Sequence, residues 1–196
     1  MVCISRSAGA AGEEVGRIVA ESLGFRYVDE EIVARAAESG GVDPELVADA
    51  EERRSLLRRV LESFAHAGVA EVPLEQVPQT EAHRALIRDV VREVAEQGDA
   101  VIVAHAASHA LAGRDGVLRV LVTAEPPDRV RRLVESGMEE KQAASLVRES
   151  DLARVDYLKR FYGVAEERPT HYDLVVNTET IPPEQAAELI LQVARA

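Results

Sequence analysis

The stretch Val2-Cys3-Ile4-Ser5-Arg6-Ser7-Ala8-Gly9-Ala10-Ala11-Gly12 decides how this chain is read. Val2 to Ile4 is a short apolar run, as in a strand buried on both faces. After Gly12, Val15, Ile18, Val19 and Leu23 fall on one face of a helix. A strand, a glycine loop and a helix in that order open phosphate-binding α/β domains. The loop N–H groups and the helix N-terminus can together surround an anion. The common signature G-x-x-x-x-G-K-[ST] is missing, because Glu13 and Glu14 stand where a lysine and a hydroxyl are expected. Acids in a first helical turn suit the macrodipole, and they also repel a polyphosphate. A plain strand-to-helix turn remains the alternative to a phosphate cradle.

Working outward, the same alternation continues. Phe25 to Val28 reads as a second strand ending at Asp29, and Ala100 to Ala104 as a third, continuously apolar one. Val117 to Val122 and Asp173 to Asn177 supply two more. Helices are expected at Glu30–Ala37, from Asp43-Pro44 to about Phe64, over Ala85–Gln97, at Pro126–Val134, over Met138–Ser150 and Leu152–Tyr162, and after Pro182-Pro183. About five strands separated by helices predict a three-layer α/β/α fold with a mainly parallel sheet. Ligands on such sheets bind beyond the carboxyl ends of the strands. Those ends fall at Ser5–Gly12, Asp29, Ala104–Ser108, Thr123–Pro126 and Asn177–Thr180.

Composition narrows the classes. The length of 196 residues suits one domain, and 46% hydrophobic residues suffice for a core, built from Ala, Val, Leu and Ile because aromatics are only 4%. A formal net charge of −12 argues against a nucleic-acid-binding face. It leaves room for a small anionic ligand in a locally basic pocket. The single cysteine, Cys3, excludes a disulfide framework and fits a small core residue in a reducing cytoplasm. No signal peptide and no membrane span is read in the chain, so a cytoplasmic protein is expected. His105 and His109 share a helical face but lack carboxylate or Cys partners nearby, so zinc is not expected. Arg53, Arg54, Arg58 and Arg59 alternate with acids and read as a solvated face, on a helix that would suit a homodimer.

The opening I-S-R-S-A-G-A-A-G-E-E-V-G-R and L-G-F-R-Y-V-D-E-E-I-V resemble the start of the cytidylate kinase-like proteins, a branch of the P-loop nucleoside monophosphate kinases. E-S-D-L-A-R-V-D-Y-L-K-R-F-Y-G-V (Glu149 to Val164) and H-Y-D-L-V-V-N-T-E-T-I-P-P-E-Q-A-A-E-L-I (His171 to Ile190) match better, and Glu51 to Gln79 matches least. The resemblance implies a P-loop kinase domain with an acceptor-side helical insertion near 43–79 and a lid near 137–163. It implies transfer of the ATP γ-phosphoryl group, with Mg²⁺, to a nucleotide or other small acceptor. Ser5, Arg6, Gly9, Ala10, Ala11 and Gly12 would form the phosphate loop, and Asn177 and Thr178 would lie beside the donor adenine. Arg148 and Arg154 would face the phosphates from the lid, with Asp151 orienting Arg154 or touching the acceptor. Guanidinium groups suit this task because they bind phosphate oxygens bidentately and stay charged. The same arginines could instead be solvated and paired with Glu149 or Asp151. Asp29 would meet the acceptor or cap the next helix. The family usually carries Gly-Arg after the third strand, and Ala104-His105 replaces it here, so His105 becomes a candidate substrate contact. The missing cations motivate a second expectation, a degenerate kinase acting as a nucleotide sensor or partner-binding scaffold.

Overall fold

A computed structural model describes residues 1–29, 91–92, 94–104 and 107–196. His105, the helices expected between Glu30 and Phe64, the insertion near 43–79 and most of the Ala85–Gln97 helix lie outside the described residues. The strands are β1 (Val2–Arg6), β2 (Arg26–Asp29), β3 (Ala100–Val103), β4 (Leu118–Thr123) and β5 (Leu174–Asn177). They form one all-parallel sheet in the order β2–β3–β1–β4–β5. β1 and β3 are buried throughout, which is why their sequences run apolar without alternation.

The order puts β1 between β3 and β4, where the chain changes direction across the sheet. Open α/β sheets bind ligands at such a crevice. Register sharpens the point. Ile4 lies opposite Val103 and Val120, Arg6 opposite Val122, and Thr123 opposite Asn177. The loops leaving β1, β4 and β5 therefore emerge side by side.

The helices are α1 (Gly12–Leu23), α2 (Ala107–Ala110), α3 (Pro126–Glu135), α4 (Glu140–Tyr162) and α5 (Pro183–Ala194). Helix α1 packs on α5 and over β3, and α3 packs on α4. The apolar face of α1 is spent on the core: Val15 and Val19 belong to one buried cluster with Ile4, Val103, Val120 and Ile190. Each such side chain contributes about 1.5–3 kcal/mol by leaving water. Gly16 is needed where α1 crosses the sheet, since a Cβ there would collide with Val103 Cγ2.

The expected pair of helices in the lid segment is one helix of 23 residues. Neither Gly nor Pro interrupts Glu140 to Tyr162, and the helix stops at Gly163, whose φ of 65° closes it in the left-handed region. Residues Met1–Tyr27 and Gly98–Ala196 form one compact unit, and Val28–Gln97 a second. Among the described residues, no helix is long and apolar enough to cross a membrane.

Candidate functional site

The site begins where β1 leaves the sheet. Ser7 N donates to Val122 O (3.1 Å), and Ala10 N donates to Ser7 O (3.0 Å), closing a tight turn. Gly9 (φ 77°) and Ala11 (φ 60°) both sit in the left-handed region. For Ala11 this conformation costs about 1 kcal/mol or more, so the surroundings must enforce it. Val15 N donates to Ala11 O (3.0 Å) and starts α1. No side chain caps this helix. Its first-turn N–H groups thus lack intrahelical partners and carry the positive end of the macrodipole.

Side chains from α3 and the β5–α5 connection hold the loop by its carbonyl oxygens. Arg129 Nη1 donates to Ala8 O (3.4 Å), and Arg132 Nη1 to Gly9 O (3.5 Å). The Thr178 hydroxyl donates to Ala10 O (2.9 Å) and lies 3.2 Å from Thr123 O. It also accepts from Arg132 Nη1 (3.1 Å), while Arg132 Nη2 donates to Thr178 O. Ser7 Oγ and Thr123 Oγ1 meet at 3.3 Å. The backbone itself is pressed against α3: a Cβ on Gly9 would lie 2.8 Å from Arg129 O.

Three arginines here face carboxylates. Arg6 Nε lies 2.5 Å from Glu13 Oε1, although the N–H direction does not make this a hydrogen bond. Arg129, 4% exposed, forms a bidentate pair with Asp151, Nη1 to Oδ1 at 2.9 Å and Nη2 to Oδ2 at 2.6 Å. Arg154 forms another with Glu167, Nε to Oε2 at 2.8 Å and Nη2 to Oε1 at 2.5 Å. Arg154 Nη1 also donates to Arg6 O at 3.0 Å, and Nη2 to the Tyr172 hydroxyl at 3.1 Å. Tyr172 donates to Glu167 Oε1, and His109 packs its ring against Tyr162, His171 and Tyr172.

This cluster perturbs its members. Burial raises the Glu167 carboxyl, but hydrogen bonds and charge from Arg154 outweigh it and hold the group well below the usual carboxylate range. Burial pushes the Tyr172 phenol above its ordinary value. Burial would lower the Arg154 guanidinium, yet Glu167 keeps it raised and charged. Elsewhere, burial pushes the Cys3 thiol up to about 12, which leaves it inert.

The predicted residues fall in several places. Arg6, Gly9, Ala10, Ala11 and Gly12 make the loop and its junction with α1. A Cβ on Gly12 would lie 2.5 Å from Arg6 Cβ. Ser5 is buried beneath the loop, its hydroxyl donating to Ser108 Oγ at 3.0 Å. Asp151 reaches the loop through Arg129, and Arg154 touches it directly at Arg6 O. Thr178 is 1% exposed, with its hydroxyl spent on the loop, whereas Asn177 is exposed and accepts from Glu179 N at 2.9 Å. Arg148 stands on the solvent side of α4 beside Ser145 and Glu149. Asp29 is buried at the end of β2, within the second unit.

Sequence reading missed Arg129, Arg132, Glu167 and Tyr172. The signal for the first two was available: arginines at i and i+3 on the helix that follows β4, facing the β1 loop. Glu167 and Tyr172 sit in irregular chain and a strand approach, where no periodicity marks them.

A parallel sheet whose central strand opens into an uncapped, left-handed glycine loop defines the class of P-loop-type α/β proteins. The chain belongs to the cytidylate kinase-like family, whose sequence model matches residues 1–180. An uncharacterized protein from Eubacterium ventriosum is similar in structure, with a TM-score of 0.68 at 16% identity, covering 100% of this chain and 98% of that one. Shikimate kinase from Bacteroides thetaiotaomicron follows at TM-score 0.56 and 15% identity, over 100% and 98%. Shikimate kinase from Acinetobacter baumannii, in complex with shikimate, gives 0.52 at 14% identity, over 98% and 90%. At these identities the likeness speaks for the fold. No curated protein sequence matches the chain.

Proposed function

We propose that this chain is a phosphotransferase that moves the γ-phosphoryl group of ATP to a nucleoside monophosphate or another small acceptor. The observation that carries the reading is the Ser7–Glu13 loop. Its left-handed Gly9 and Ala11 and its uncapped α1 N-terminus suit a polyphosphate, and Arg129 and Arg132 brace it from the carbonyl side. Membership in a kinase-like family supports it.

The residues fit the nucleotide better than they fit its metal. Backbone N–H groups of the loop and of the first turn of α1 offer donors for phosphate oxygens, while the two α3 arginines hold the loop by its carbonyl oxygens. The first turn of α1 offers Glu13 and Glu14 rather than a hydroxyl. Mg²⁺ would therefore be held mainly by phosphate oxygens and water, as that ion commonly is. When bound with ATP it would neutralise charge on the phosphates. The chain's own contribution is positioning: α3 would brace the loop, and the lid segment on α4 would bring arginines toward the transferred group and exclude water.

A specific observation favours the second reading, a nucleotide sensor or scaffold without turnover. Arg6, Arg129 and Arg154 each already face a carboxylate, at 2.5, 2.6 and 2.5 Å. A cation so paired gives less to an incoming phosphate. Titration calorimetry with ATP·Mg²⁺, followed by transfer assays from radiolabelled ATP to CMP, other nucleoside monophosphates and shikimate, tests both. We expect ATP binding and transfer to at least one acceptor. Binding with no transfer to any acceptor supports the sensor, and absence of ATP binding overturns both the phosphotransferase and the sensor and leaves the scaffold.

A further inference from the structure

Thr178 and Arg132 converge on neighbouring carbonyl oxygens of the loop. Thr178 is 1% exposed, so its hydroxyl has no route to a nucleotide base. It donates instead to Ala10 O and accepts from Arg132, which reaches Gly9 O and Thr178 O as well. Among the described residues Arg132 has no carboxylate partner, unlike Arg6, Arg129 and Arg154.

Peptide geometry converts these bonds into a statement about donors. In a planar trans peptide the C=O of one residue and the N–H of the next point in opposite directions. Fixing Ala8 O, Gly9 O and Ala10 O fixes the N–H groups of Gly9, Ala10 and Ala11 on the other side of each plane. The Ala10 N–H is used within the turn, on Ser7 O. Among the described residues no carbonyl accepts from Gly9 N or Ala11 N. The left-handed Ala11, costly by itself, is held because Ala10 O is anchored by the Thr178 hydroxyl.

We propose that Thr178 and Arg132 are positioning residues that preset the Gly9 and Ala11 N–H groups for a polyphosphate, in a loop lacking the usual lysine. The inference rests on the phosphotransferase reading and extends it. Presetting matters because donors already aimed cost no reordering when the ligand arrives. Thr178 then acts on the phosphates through Ala10, and its contribution is blind to the base.

The test is calorimetry on the full chain with two probes, ATP·Mg²⁺ and tripolyphosphate·Mg²⁺. The variants are Thr178→Val, Thr178→Ser and Arg132→Lys, with a thermal melt of each. Thr178→Val is expected to weaken both probes equally, by about tenfold, the equivalent of one net hydrogen bond. Thr178→Ser keeps the hydroxyl and is expected to stay within about twofold of the wild type, a difference of about 0.4 kcal/mol. Arg132→Lys loses the forked donor and is expected to weaken both probes alike while the melt stays near wild type. Should Thr178→Val fail to fold, Arg132→Lys carries the test. Unchanged binding of both probes in the folded variants overturns the inference. So does loss of ATP with tripolyphosphate retained, which places Thr178 at the base. If the wild type binds neither probe, the phosphotransferase reading itself fails.

Discussion

Two buried arginines reach the end of β1 from different helices. Arg129 comes from the short α3 and donates to Ala8 O in the loop; Arg154 comes from the long α4 and donates to Arg6 O, two residues earlier. Each is held bidentately by a carboxylate, but the carboxylates differ. Asp151, beside Arg129, has a side chain 40% exposed, whereas Glu167, beside Arg154, is 24% exposed and locked further by Tyr172. The Arg154 region is thus a closed polar cluster in low dielectric. The Arg129 region is half open, next to the Gly9 and Ala11 N–H groups, from which no carbonyl among the described residues accepts. Buried ion pairs stabilise little against an apolar alternative, yet breaking one from one side costs several kcal/mol.

Removing one carboxylate is the strongest way to break this contrast. Glu167→Gln leaves a buried guanidinium uncompensated and is expected to cost about 3 kcal/mol or more in chemical denaturation at pH 7. It also has a pH signature. The folded carboxyl titrates well below its unfolded value of 4.5, so its contribution is complete above that value and is lost as pH falls below it. In the wild type stability should drop on acidification below about pH 4.5; in the Gln variant that part of the slope should vanish. A steep, unchanged acid slope in the variant would assign it to other carboxylates.

Next in size is the loop itself. Gly12→Ala puts a Cβ 2.5 Å from Arg6 Cβ, an approach that real Cβ atoms do not make. Arg6 is buried and cannot simply swing aside. A loss of about 1–3 kcal/mol is expected from overpacking, together with weaker ATP binding, read by melting and calorimetry. The smallest stability effect belongs to Arg148→Ala. Its side chain is 71% exposed and 3.8 Å from Glu149, so unfolding should stay within about 0.5 kcal/mol of the wild type. If Arg148 acts only when the lid segment closes, transfer should still fall about tenfold, the size of a single modest transition-state contact.

Much of the fold was legible before any coordinates. β1 and β3 announced themselves as short apolar runs, and the parallel sheet followed from their alternation with helices. Boundaries moved by a residue or so, as at β4, which runs Leu118–Thr123 rather than Val117–Val122. The break expected in the lid segment was wrong because Asp151, a weak helix former, is used by Arg129 in the middle of α4. For the site, the loop glycines could be read locally, since Gly9 answers a backbone conformation and Gly12 a close approach. The spacing of Arg129 and Arg132 was visible, but the atoms these partners would meet were not. Arg132 and Glu167 meet their targets across 123 and 13 residues of chain, through contacts that no local period encodes.

By itself, then, the amino-acid sequence determined the order of strands and helices, the turn after β1 and the absence of the usual lysine from it. These depend on near neighbours: apolar spacing, glycine freedom and the chemistry of one helical turn. Only the tertiary structure decided what each arginine faces. Strand order and register bring the ends of β1, β4 and β5 together, and α3 and α4 then deliver Arg129, Arg132 and Arg154 to the same few carbonyl oxygens. Whether a guanidinium ends on a carboxylate, a carbonyl or solvent is a matter of ångströms in packing. It separates Arg148, Arg154 and Arg132, which look alike as letters.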